Sequence, residues 1–134
     1  MTNLPLIGSL DEASVLHKFG WIGVDFDGTL VTYERHLGAE TFGEPIYRMI
    51  ERVNRWLAKG QRVRIVTARV SSPADNAQRQ RDAAKSLIAI QDWCEAAFGQ
   101  ILPVVCAKDF AMIELWDDRA VQVKPNSGER ADGN

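Results

Sequence analysis

The seven residues Phe19-Gly-Trp-Ile-Gly-Val-Asp25 constrain the fold more than any other stretch of this chain. The run is apolar up to its last residue, too short for a globular helix, and closed by a turn signal at Asp27-Gly28. It reads as a strand buried on both faces, the kind that lies inside a parallel sheet. Such a strand needs further strands beside it and helices to cover it, and the rest of the sequence supplies both in alternation.

Ser9-Leu-Asp-Glu12 is a capping-box pattern that predicts a short helix over residues 10–18. Residues 28–43 mix glycines with β-formers, as a loop with a small hairpin would. From Pro45 the period changes: Ile46, Met49, Ile50, Val53, Trp56 and Leu57 form one helical stripe, with Gly60 placed as its stop. Val63–Thr67 reads as a second buried strand. Ser72-Pro-Ala-Asp75 predicts the start of another helix, whose stripe is Ala84, Leu87, Ile88, Cys94 and Phe98 and whose end is Gly99. Ile101–Cys106 and Ile113–Trp116 are the third and fourth strands. Residues 1–124 are expected to form a single α/β domain, and the polar, glycine-containing 125–134 a flexible tail.

In a parallel sheet, ligands gather at the carboxyl ends of the strands. Three of the four strands here end in polar groups: Asp25, Thr67 and the pair Asp117-Asp118. Asp25 and Asp27, at i and i+2, leave the first strand on the same side, and Gly28 allows a sharp turn and a close approach. Several carboxylates in one cleft repel unless a cation sits among them, and hard oxygen donors suit Mg²⁺. Thr67 adds a hydroxyl and Lys108, after the third strand, a compact positive charge. A carboxylate nucleophile among these groups is a template for phosphoryl transfer, where positioning and charge stabilisation do most of the catalysis.

These pieces resemble the motif set of the haloacid dehalogenase (HAD) superfamily. Val24-Asp25-Phe-Asp27-Gly-Thr29 is similar to its first motif, Ile65-Val66-Thr67 to its second, Lys108 to the motif-three lysine and Leu115-Trp-Asp117-Asp118 to its acidic fourth. The resemblance implies a three-layer, Rossmann-like (HAD-like) fold with helices on both faces of a parallel sheet. It implies a phosphatase in which Asp25 attacks phosphorus and Asp27 serves as general acid and then base. Thr67 would bond a phosphoryl oxygen and Lys108 would neutralise it. Mg²⁺ would be held by Asp25, the Asp27 carbonyl, Asp117 and Asp118, the last directly or through water. Main-chain N–H groups of residues 26–29, Gly28 and Thr29 among them, and of Ala68 would cradle the phosphate. Arg69 would face substrate or pair with a nearby acid.

Members of the family often carry cap insertions over the site. The intervals 26–66 and 68–107 are filled by one helix and one strand each, so no separate cap domain is expected. An open cleft suits an exposed phosphate on a larger molecule, or a small phosphorylated molecule if a neighbouring subunit of a homo-oligomer closes the site.

Other classes fit less well. A calcium loop starting at Asp25 would want an acid or amide at 29, glycine at 30 and glutamate at 36, and the chain has Thr29, Leu30 and His36. No G-x-S-x-G, C-x-x-C, Walker or G-x-G-x-x-G motif occurs. Arg48, Arg52, Arg55 and Lys59 form a basic stripe at helical spacing, with Glu44 and Glu51 four residues ahead of Arg48 and Arg55. Surface ion pairs and a net charge of −2 make a solvated face the stronger reading and nucleic-acid ends the weaker. His17 and His36 have no partner pattern, and Trp56 and Trp93 read as packing. A HAD-like module that binds without turnover is expected to have lost one of the acids, and none is lost. With 46% hydrophobic and 25% charged residues, two cysteines, no membrane-length apolar run and a start unlike a secretory signal, a cytoplasmic protein is expected.

Overall fold

A computed structural model describes residues 19–133. The helix expected over 10–18 lies outside them. Four strands, β1 (Trp21–Asp25), β2 (Arg62–Val66), β3 (Val104–Val105) and β4 (Met112–Trp116), form one parallel sheet in the order β3-β2-β1-β4. Helix α1 (Tyr47–Ala58) connects β1 to β2, and α2 (Ala77–Phe98) connects β2 to β3. This is an α/β architecture with β1 central, as its continuous burial requires.

Alternation along the strands splits the sheet into two unlike faces. Ile22, Val24, Val63 and Ile65 point to one side, where Met49, Ile50 and Val53 of α1 and Ile90, Cys94 and Phe98 of α2 complete the core. Both helices lie on this face, and they touch each other through Asn54 Nδ2, which donates to the Ala97 carbonyl at 3.3 Å. Phe26 is fully buried and meets the rings of Phe42 at 4.7 Å and Trp93 at 5.1 Å, edge to face. The residue between Asp25 and Asp27 is thereby an anchor that locks the turn after β1 to the core.

The opposite face carries Trp21, Gly23, Arg64 and Leu115. Across it runs the β3–β4 connection, residues 106–111, whose path follows from reach. Val105 pairs at the level of Asp25, and Met112 at the level of Trp21, on the far side of two strands. Three strand spacings of about 4.8 Å and four residues of about 3.3 Å separate them, about 20 Å in all. Seven Cα steps reach about 24 Å at most. The connection bends at 106–107 and closes in a turn, where the Met112 N–H donates to the Asp109 carbonyl at 3.2 Å. Asp109 fastens its middle, accepting from Trp21 Nε1 at 2.8 Å and Arg64 Nη1 at 3.1 Å. These bonds, the Trp21 indole N–H first, hold the Asp109 carboxyl below its usual range.

Several local expectations are corrected. Helix α2 is capped by Asn76, whose side chain accepts from the Arg79 N–H, and not by Ser72. Its buried stripe is Ala83, Ser86, Ile90, Cys94 and Phe98, while Ala84 and Ile88 face out. A serine sits in this stripe because its hydroxyl is satisfied: Ser86 is buried and donates to the Ala39 carbonyl at 2.6 Å. The third strand is confined to Val104–Val105, since Pro103 has no N–H to pair. Glu44 and Glu51 form no ion pair with Arg48 or Arg55 among the described residues. Residues 122–131 fold back in a short antiparallel turn, with Lys124 N donating to Glu129 O and Ala131 N to Gln122 O, both at 2.8 Å. No helix among the described residues is long and apolar enough to cross a membrane.

Candidate active site

The carboxyl ends of β1 and β4 meet. Asp25 closes β1, Asp117 and Asp118 follow β4, and one oxygen of each lies within 4.8 Å of the others. Partial burial is the main force on Asp25, followed by its hydrogen bond with Asp118 and the charge of Asp117, and its carboxyl is pushed up to about 7. Three acids so placed stand against strong mutual repulsion, which a divalent cation would relieve. The donor set is all hard oxygen, so it fits Mg²⁺. The buried Thr29 hydroxyl, with no hydrogen-bond partner among the described residues, lines the adjoining groove with Asp118.

Gly28 makes the meeting sterically feasible. Its φ is +84°, and a Cβ there would collide with the Asp118 carboxylate. Its own N–H donates to Val31 O at 2.7 Å, and the Thr29 N–H to Phe26 O at 3.2 Å. This corrects the expectation that both cradle phosphate: those N–H groups are used inside the turn, and Gly28 serves by leaving room.

Asp27 points away from the triad to Arg69. The guanidinium Nε donates to Asp27 Oδ2 at 2.7 Å and Nη2 to Oδ1 at 3.1 Å. Nη1 donates to the Gly38 carbonyl at 2.7 Å, and the group stacks over Phe42 at 4.9 Å. Arg69 is only 8% exposed, so of its two expected roles the acid pair is the one formed. It also clamps the loop 33–42 against the site.

Thr67, at the end of β2, is buried, and its Oγ accepts from the Arg69 N–H at 3.2 Å, starting a 3-10 turn over Ala68–Val70. Among the described residues no acceptor takes the hydroxyl hydrogen. Ala68 also lines the cleft, and no acceptor within the described residues takes its N–H.

A cleft of about 530 Å³ opens over these groups, bounded by Asp25, Asp27, Thr67 and Asp117 on its floor. Its walls include Tyr33 and His36 from the loop, Cys106 after β3, Arg79 from α2 and Arg119. Lys108 is not among them. It is exposed, on the connection from β3 to β4. Lys108 stands out in the sequence by type and order along the chain, whereas Arg79, Arg119, Tyr33, His36 and Cys106, which do line the cleft, were not among the expected site residues. Arg119 had a signal, since it directly follows the acid pair; Arg79, inside a polar run, had none. Trp116 packs edge to face on Trp56 at 5.2 Å and under Arg52 at 4.8 Å, away from the cleft.

Comparison with known proteins returned no match, whether to a protein family, to a curated protein or to a solved structure.

Proposed function

We propose that the chain is a Mg²⁺-dependent phosphohydrolase of HAD type that works through an aspartyl-phosphate on Asp25. The observation that carries the reading is the convergence of Asp25, Asp117 and Asp118 at one rim of a parallel sheet, beside a cleft lined by the Thr67 hydroxyl. In this reading the domain is a capless, Rossmann-like α/β fold, and the helices expected on both faces are found, among the described residues, on one face only.

Mg²⁺ would be held by the carboxylates of Asp25, Asp117 and Asp118 and the Asp27 main-chain carbonyl, and when bound it would neutralise the acids and polarise the phosphoryl group. An Asp25 oxygen attacks phosphorus in line while the ester P–O bond breaks. Asp27 gives its proton to the departing oxygen, then takes one from the water that attacks the aspartyl-phosphate. Inorganic phosphate leaves and Asp25 is restored. Arg69 orients the Asp27 carboxylate, and the Thr67 hydroxyl and Ala68 N–H receive phosphoryl oxygens.

The test is hydrolysis of an aryl phosphate by wild type with Mg²⁺, by wild type with chelator and by Asp25→Asn. Activity confined to the first supports the mechanism; equal rates in all three reject it. A module that binds without turnover would take up inorganic phosphate with Mg²⁺ and release no product.

A second reading, a phosphatase of nucleotide or nucleic-acid ends, is favoured by one observation. Arg48 and Arg52 line the groove beside Gly28, Asp117 and Asp118 without any carboxylate partner among the described residues. A steep salt dependence of oligonucleotide binding would mark it.

A further inference from the structure

Resting on the phosphatase reading, we propose that Arg79, and not Lys108, is the catalytic cation that meets the transferred phosphoryl group. Three acids, one divalent cation and a phosphate dianion leave an excess of negative charge in the cleft, so a further positive group is required. Among the described residues, three arginines line the cleft, Arg69, Arg79 and Arg119, and Lys108 is the cation the sequence points to. Arg69 is spent on Asp27 and the loop carbonyls. Lys108 is exposed and does not line the cleft. Arg119 lines the cleft, but its side chain has no hydrogen bond among the described residues to fix it, and its main chain alone touches Asp117.

Arg79 lines the cleft and is held at both ends. Its backbone N–H donates to the Asn76 side chain at 3.0 Å, which sets the first turn of α2. Its Nη2 donates to the Ser71 carbonyl at 2.9 Å and the Ala68 carbonyl at 3.4 Å. Those carbonyls belong to the turn that begins at Thr67, where the phosphoryl oxygens are received. Nε and Nη1 carry no hydrogen bond among the described residues, so the N–H donors of both remain for an anion. Nothing in the residue's local sequence marks this role. It arises because α2 starts over the carboxyl end of β2 and Ser71 turns the guanidinium inward.

The experiment uses the full chain with Mg²⁺ and reads two quantities: aryl-phosphate turnover and binding of inorganic phosphate followed by ³¹P NMR. Arg79→Ala is expected to lower kcat/KM by about 100-fold, the loss typical of one preorganised donor, and to weaken phosphate binding about tenfold. Guanidinium ion at millimolar concentration should restore part of the Arg79→Ala rate, which a merely structural role for the side chain would not allow. Lys108→Ala should stay within about twofold of wild type on both readouts.

An Arg79→Ala protein with wild-type phosphate affinity overturns the proposal, as does a Lys108→Ala protein with the larger loss. The Asp25→Asn control separates the two claims: activity that survives it rejects the aspartyl-phosphate mechanism. The phosphate-binding comparison still decides for or against Arg79 in that event.

Discussion

Arg69 holds both oxygens of Asp27, at 2.7 and 3.1 Å, from a position 42 residues away in the chain. The pair joins the turn after β1 to the turn after β2 and, through the Gly38 carbonyl, to the loop over the cleft. A charge pair this buried gains its worth from completeness, because either partner alone is left poorly solvated.

Arg69→Ala is therefore expected to cost about 3 kcal/mol or more. At about 3 °C of Tm per kcal/mol for a chain of this size, thermal unfolding should move down by roughly 10 °C. Arg69→Lys should recover little, since an ammonium cannot reproduce the fork. A shift under 2 °C for Arg69→Ala would show that the pair contributes nothing to stability.

Gly28→Ala places a methyl group against the Asp118 carboxylate at a φ of +84°. The strain is on the order of 1–2 kcal/mol from the backbone alone, and the collision displaces an acid of the triad. Mg²⁺ titration followed by tryptophan fluorescence, with Trp116 directly before Asp117, should show affinity reduced by tenfold or more. Unchanged affinity would mean Asp118 takes no part in holding the ion.

The raised carboxyl of Asp25 has a signed consequence. Without metal, the folded chain keeps a proton near pH 7 that the unfolded chain releases near 3.8. Between those values the native state binds more protons, so this site's contribution to stability falls as pH rises from about 4 to about 7. Urea midpoints in chelator should carry that downward component, Asp25→Asn should remove it, and Mg²⁺ should reverse it. Identical pH slopes for wild type and Asp25→Asn would contradict the assignment.

The two thiols should behave differently. Cys94 is fully buried and burial pushes its thiol up to about 11, while Cys106 is exposed on the cleft wall. Iodoacetamide should add one group to the native protein, at Cys106, and the adduct should hinder phosphatase turnover without altering Mg²⁺ affinity. Mass spectrometry of the labelled peptides checks the site.

What could be read from residues alone was whatever depends on local pattern. The strand ending at Asp25, the stripe from Met49 to Val53 and the acid pair after β4 each declare themselves within a few positions, through period and an abrupt change of polarity. Ser86 shows where that logic stops: its place in the buried stripe is satisfied by a carbonyl 47 residues away. Arg69 stopped at two open roles because its partner is decided by how two turns face each other. Lys108 was legible by type and order alone, while its exposed place outside the cleft lining depends on the route from β3 to β4, which only strand order reveals.

That route has a mechanical consequence. Residues 106–111 act as a short tether, closed by the turn at 109–112 and fastened midway by Asp109 to Trp21 and Arg64. Its far end is β4, the strand that delivers Asp117 and Asp118. Removing one or two residues from the tether would pull β4 out of register with β1 and drag the acid pair off Asp25, whereas adding residues would only let it bow outward. The length of an unremarkable coil on the back of the sheet is thus a hidden gauge of whether the three carboxylates meet at the front.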